Sequence, residues 1–122
     1  MTKSYRIEWA PLAIQDVDEI LAFITAREDL DTATRVCDRI LARVGSLSGH
    51  PDRCRIVPEL GDFGIREYRE AIARPYRIIF RIVGSRVGII GVLDSRRDLE
   101  ELLLDRALNP EDLFFTTRRS SR

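Results

Sequence analysis

Nineteen of the chain's 20 basic residues are arginine, and Lys3 is the exception. An arginine presents a planar fork of donors that matches carboxylate and phosphate, and it keeps its proton near neutral pH. The set is therefore suited to holding anions and unsuited to abstracting protons. Its placement is uneven although the net charge of the 122 residues is zero. Residues 1–33 carry seven acids against three bases, while residues 35–97 carry thirteen arginines against seven acids. Beside Arg66, Arg77 and Arg81 stand Tyr68 and Glu70, two side chains that can exchange a proton. His50 is the single histidine, which argues against a histidine-based triad or metal site. Cys37 and Cys54 fit no zinc or CxxC spacing, and Cys37 falls on an apolar helical stripe as a buried, reduced thiol. The chemistry on offer is anion contact, with no metal, no cofactor and no assigned catalytic residue.

The elements that must position these residues follow from periodicity. Tyr5-Arg6-Ile7-Glu8-Trp9 alternates as a short strand. Pro11 suits a helix's first turn, and Ala13, Val17, Ile20, Leu21 and Ile24 recur at helical spacing, with Asp16, Asp18 and Glu19 on the outer face. This predicts a helix over 11–27. Glu28-Asp29-Leu30-Asp31 supplies an N-cap for a second helix over 32–48, striped by Ala33, Val36, Cys37, Ile40, Val44 and Leu47 and stopped by Gly49 and Pro51. Residues 49–64 are rich in turn formers and read as a loop. The period then changes to two over 65–72, 75–83 and 86–94, with Gly84-Ser85 as a hairpin turn and Gly88 and Gly91 as weak points or places of close approach. Ser95-Arg96-Arg97-Asp98 has the form of a capping box before a helix carrying Leu99, Leu102, Leu103 and Ala107. Asn109-Pro110 ends it, and residues 109–122 read as a flexible polar tail.

The order predicts an α+β fold. An antiparallel sheet of about four strands carries the N-terminal helical hairpin on one face, with a short C-terminal helix after it. Length argues for one domain, over residues 1–108, and a hydrophobic fraction of 44% suffices to fold it. No apolar run approaches a membrane span and no signal peptide opens the chain, so a cytoplasmic protein without membrane contact is expected.

Register arithmetic places the arginines. With the turn at Gly84-Ser85, Ile82 faces Val87, Phe80 faces Ile89 and Tyr76 faces Leu93, an apolar set that belongs under the helices. Arg77 and Arg81 then point to the other face, with Ile79 between them. A turn at Ala73-Arg74 sets Glu70 opposite Arg77 and Arg66 opposite Arg81, and Tyr68 shares their face. The expectation is an uncovered surface of Arg66, Tyr68, Glu70, Arg77 and Arg81 that meets an anion or an acidic partner. Its plainer alternative is a solvated face with one cross-strand Glu-Arg pair contributing about 0.2–1 kcal/mol.

The run Tyr76-Arg77-Ile78-Ile79-Phe80-Arg81-Ile82 resembles the YRIxYRI strand of the RelE/ParE toxin superfamily. Val57-Pro58-Glu59-Leu60 and Ile65-Arg66-Glu67 resemble the approach to that strand, and Val92-Leu93-Asp94-Ser95-Arg96-Arg97-Asp98 resembles the exit from the last one. The helical hairpin from Ala10 to Pro51 matches in order and length, so the resemblance covers Tyr5 to Leu108. It implies the toxin of a type II toxin-antitoxin system, neutralised by a cognate antitoxin in a hetero-oligomer. Arg77 matches the family's strand arginine, and Arg96 or Arg97 the arginine after the last strand, which adds both to the expected surface.

The superfamily divides by mechanism. RelE-like members are ribosome-dependent endoribonucleases that cut mRNA with basic and Tyr side chains, whereas ParE-like members act on DNA gyrase. The RelE lysines, the C-terminal catalytic Tyr and the His of some ribonuclease relatives have no counterpart in this chain. The resemblance is therefore closer to ParE, which implies a growth-inhibiting gyrase inhibitor rather than an enzyme. An mRNA endoribonuclease acting on the ribosome is the alternative, and a non-toxic orphan interaction domain is a further one.

Overall fold

In the computed structural model, which describes residues 4–108, the chain begins with β1 (Arg6–Trp9), α1 (Pro11–Arg27) and α2 (Leu30–Gly45). Two 3-10 turns (Ser46–Ser48 and Pro51–Arg53) lead into β2 (Arg55–Ile56) and α3 (Pro58–Gly61). The described residues close with β3 (Tyr68–Ala73), β4 (Tyr76–Val83), β5 (Arg86–Asp94) and α4 (Glu100–Leu108). The expected helix stop at Asn109-Pro110 and the tail over 109–122 lie outside the described residues.

Local chemistry accounts for the helical hairpin. Pro11 occupies the first turn of α1, where its missing N–H costs nothing. Asp29 caps α2, its Oδ1 accepting from the Thr32 amide at 2.7 Å. No helix among the described residues is long and apolar enough to cross a membrane.

The sheet has five strands in the order β1-β5-β4-β3-β2, against the four or so expected, and β1 runs parallel to β5. The additional strand is β2, two residues inside the stretch read as a loop, and α3 follows it there. Elements this short leave no periodic trace. The strand expected over 65–72 begins later, at Tyr68, and ends at Ala73.

The β4–β5 hairpin turns at Gly84-Ser85 as expected, with Gly84 at φ +61°, a conformation favouring glycine. Ile82 pairs with Val87 and Phe80 with Ile89, but Tyr76 meets Asp94 rather than Leu93. A bulge between Ile79 and Phe80 sets Ile90 as an extra residue on β5, which shifts the register by one, brings Val92 under the helices and sends Leu93 to the opposite face beside Ile90. The β3–β4 turn lies at Arg74-Pro75, through a cis bond, rather than at Ala73-Arg74. Its pairs are therefore displaced by two: Glu70 opposes Ile79, Ile72 opposes Arg77, and Tyr68 opposes Arg81. A slip of two keeps every side chain on its expected face.

Both faces of the sheet are covered. Ala13, Ile40 and Val44 of the first two helices and Leu47 of the 3-10 turn that follows pack on Ala71, Tyr76, Ile78, Phe80, Val87, Ile89 and Val92, and Ile82 packs against this set. On the other face, Leu60 of α3 with Leu99 and Leu103 near and in α4 close over Tyr68, Ile79, Ile90 and Leu93. This corrects the expectation of an uncovered second face. Each covering helix is too short to announce a docking partner, although its leucines need one.

Asp16, expected on the outer face of α1, is buried. β1 ends at Trp9, opposite Ile89, and the rest of the β5 edge has no neighbouring strand among the described residues. There Asp16 Oδ2 accepts from the Val92 amide at 2.9 Å, and Arg106 Nη1 donates to the Ile90 carbonyl at 2.8 Å. The two side chains join each other in a fork at 2.8 and 3.0 Å. This pair takes over the hydrogen bonds a longer β1 would make, and it fastens α4 to α1 around the sheet edge. Gly91 is a place of close approach, because a Cβ there would sit 2.8 Å from Arg106 Nη1. Asp16→Ala strands a buried guanidinium and should cost roughly 3–5 kcal/mol. Urea unfolding of Asp16→Ala and of the double variant Asp16→Leu/Arg106→Leu checks it, and the double variant should recover part of the loss, since it removes the stranded charge but leaves the Val92 amide and the Ile90 carbonyl without side-chain partners.

Candidate functional site

Arg77 lies at the centre of the second face, and its guanidinium is answered on every nitrogen. Nη1 and Nη2 make a bidentate pair with Glu59 of α3, both at 2.7 Å, and Nε donates to Glu70 Oε1 on β3, also at 2.7 Å. Glu70 Oε2 accepts from Arg55 Nε at 2.5 Å. The result is a chain of alternating charge, Glu59–Arg77–Glu70–Arg55, buried at Arg77 and Glu70 and reaching outward through half-buried Glu59 at one end and exposed Arg55 at the other. The Glu70 side chain has no exposure and that of Arg55 is 65% exposed. Pairing with Arg77 holds the Glu59 carboxyl below the usual carboxylate range, against the upward push of burial. Hydrogen bonding to Glu59 raises Arg77 further above its ordinary value.

The seven side chains expected to share one surface are therefore divided. Tyr68, Glu70 and Arg77 are buried, Arg81 is half-buried, and Arg66, Arg96 and Arg97 are exposed. Glu70 and Arg77 do come together, diagonally across the β3–β4 ladder rather than directly opposite. Arg96 stands at the other end of the sheet from Arg81, whose position on β4 is five residues from Tyr76, or roughly 16 Å at strand rise. It is held by Asp94, with Nε to Oδ1 at 2.9 Å and Nη2 to Oδ2 at 2.7 Å. That bonding draws Asp94 below its ordinary pKa and lifts Arg96 above its own. The capping box expected at Ser95 does not form: its hydroxyl donates to the Pro75 carbonyl at 2.7 Å, while Asp98 Oδ1 accepts from the Glu100 amide.

Sequence reasoning passed over Glu59 and Arg55 as ligands of this network, although Glu59 stood within a quoted motif. It also passed over a cavity of about 470 Å³ against the end of α2, where Arg43, Arg53 and Arg55 gather around Ser46, His50 and Cys54. A count of arginines between 43 and 55 was the available signal.

Chemically, the arrangement favours contact over proton transfer. Both oxygens of Glu70 are engaged by guanidinia inside the protein, and Tyr68 is sealed in the second core. Arg53, Arg66, Arg81 and Arg97 form no ion pair among the described residues, and they are available to hold anions.

A family model described as the ParE toxin of type II toxin-antitoxin system, parDE, matches residues 7–99. Among solved structures, the chain is similar to one from the chromosomal ParDE toxin-antitoxin system of P. aeruginosa. The two are 18% identical with a TM-score of 0.64, over 75% of this chain and 96% of that one. It is also similar to one from the toxin-antitoxin complex RelBE2 of Mycobacterium tuberculosis, at 17% identity and a TM-score of 0.58, over 77% of this chain and 94% of that one. At such identities the likeness shows the fold. No curated protein matches.

The Glu59–Arg77 pair makes stability depend on acid. Because the folded state lowers the Glu59 pKa from about 4.5, its contribution is complete above that value and fades as pH falls through the folded pKa. Asp94 and Asp29 are lowered in the same direction, so the wild-type slope is a sum. Melting temperatures measured from about pH 6 down to about pH 3 should fall for both wild type and Glu59→Gln, with the gap between them closing at the acid end.

Proposed function

Since the chain belongs to the ParE toxin family of type II toxin-antitoxin systems, we propose that it inhibits growth by binding DNA gyrase in the cytoplasm and is neutralised by a cognate antitoxin in a hetero-oligomer. One domain over residues 1–108 carries the activity. The observation supporting a binding inhibitor over a nuclease is the state of Glu70. A ribonuclease of this fold needs one group to take the proton from the ribose 2′-hydroxyl and another to protonate the leaving oxygen. On the expected face only Glu70 and Tyr68 have that chemistry. Glu70 is enclosed between Arg77 and Arg55, and Tyr68 is buried. The exposed arginines can grip an acidic protein surface or a DNA phosphate without any proton changing hands.

Purified chain should inhibit gyrase supercoiling and leave mRNA uncut on ribosomes. Tyr68→Phe should remain toxic, since it keeps the ring that fills the second core. Arg96→Ala should weaken inhibition, read in a supercoiling assay with the fold checked by circular dichroism. Ribosome-dependent cleavage of mRNA that disappears in Tyr68→Phe would promote the endoribonuclease reading instead.

A further inference from the structure

The outer edge of β3 is only half used. β2 pairs with Arg69 and Glu70 alone, and it is the last strand of the sheet. Continued by two residues, that register would set Arg53 opposite Ile72. Pro51–Arg53 is a 3-10 turn instead, so the chain leaves the sheet at this point. Between the departing chain and the strand edge opens the cavity of about 470 Å³, lined by Arg43, Leu47, His50, Arg53, Arg55 and Ile72 among others.

Peptide groups of an antiparallel strand alternate in direction. The Tyr68 carbonyl accepts from the Val57 amide on the outer side, so Glu70 and Ile72, at even spacing from it, present their backbone groups the same way. Ile72 thus offers an N–H and a C=O toward the cavity, and its residue is 41% exposed.

The walls of this slot are positive. Arg53 has no ion pair among the described residues. Arg55 gives Nε to Glu70, and its terminal nitrogens have no acceptor among them. Arg43 reaches Ser46 Oγ at 2.7 Å and Cys54 Sγ at 4.0 Å but no carboxylate. Of the nearby acids, Glu70 is shared between Arg55 and Arg77, and Asp52 stands exposed on the turn itself.

We infer that an extended acidic segment of the cognate antitoxin adds to the β3 edge at Ile72, its backbone bonding Ile72 and its carboxylates meeting Arg43, Arg53 and Arg55. An open strand edge is complementary to a peptide backbone, and guanidinium forks are complementary to carboxylates. A polynucleotide would satisfy the arginines and leave the Ile72 groups unmet. This placement rests on the toxin-antitoxin reading above.

The test uses the full chain with the protein encoded beside it, co-expressed and purified as a complex. Hydrogen exchange at the Ile72 amide should slow at least tenfold in the complex relative to the free chain. Arg53→Glu, an exposed position without an ion-pair partner, should weaken the complex by roughly tenfold at about 0.15 M salt, and the difference should shrink at about 1 M. A complex that forms with unchanged exchange at Ile72 and an indifferent Arg53→Glu overturns the placement while the antitoxin reading stands. Failure of any complex to form overturns both. A synthetic oligouridylate that binds through Arg53 and displaces the partner, with no effect at Ile72, identifies a phosphate surface and also overturns the proposal.

Discussion

A guanidinium with 8% of its residue exposed cannot leave its charge to water, and the second face of this sheet is organised around that constraint. Taking an ion out of water costs several kcal/mol unless its partners are placed to answer it. Glu70 answers from the adjacent strand, but it supplies one side of the fork only. The other side requires Glu59, which lies on no neighbouring strand and must be brought in by α3. Once α3 is held there, Val57 and Leu60 lie against Tyr68 and Ile79, and the second core has its roof. Glu70 then needs a partner for its other oxygen, and Arg55 provides it from a strand of two residues. The segment from 55 to 61 thus takes its path from one buried cation. An apolar residue of similar volume could match the pair in stability, yet it would not specify where α3 sits.

The parts of the fold legible in the sequence are those whose signal repeats. α1 covers the predicted residues, and the parity of β4 and β5 about Gly84 places Phe80, Ile82, Val87 and Ile89 under the helices. The illegible parts have identifiable physical reasons. A two-residue strand and a four-residue helix complete no period. The bulge at Ile90 changes no composition, and its nearest mark is the glycine that follows it. Asp16 looks like Asp18 or Glu19 on a helical wheel until Arg106 is known to reach it, from 90 residues away. Of the expected surface, the Glu70–Arg77 pairing was readable. The burial of both residues was not, because burial here depends on α3 and α4, whose docking is long-range.

The two open edges of the sheet are treated differently. Unpaired strand edges invite association with other chains, and proteins commonly close them. At β5 the closure is internal: Asp16 and Arg106 occupy the Val92 amide and the Ile90 carbonyl, and the edge is unavailable to a partner strand. At β3 the closure stops after two pairs, beside a slot lined by arginines. Net charge also helps explain why the closed edge is the one near the acidic N-terminal third of the chain, while the open one lies within the arginine-rich stretch. Acidic side chains on an approaching strand would be repelled by the first region and attracted by the second.

That distribution also explains how a chain of zero net charge can present basic surfaces. Within residues 35–97 the seven acids do not cancel arginines uniformly. Glu70 is drawn inside and Glu59 is half-buried to balance Arg77, and Asp94 folds back onto Arg96. Each such pairing lowers the amount of acid that the exterior can show, while Arg53, Arg66 and Arg97 stay exposed. The buried ion pairs and the exposed arginines are therefore not separate features. The network that fixes α3 withdraws the Glu70 carboxylate from the surface, while Arg53, Arg66 and Arg97 remain on it.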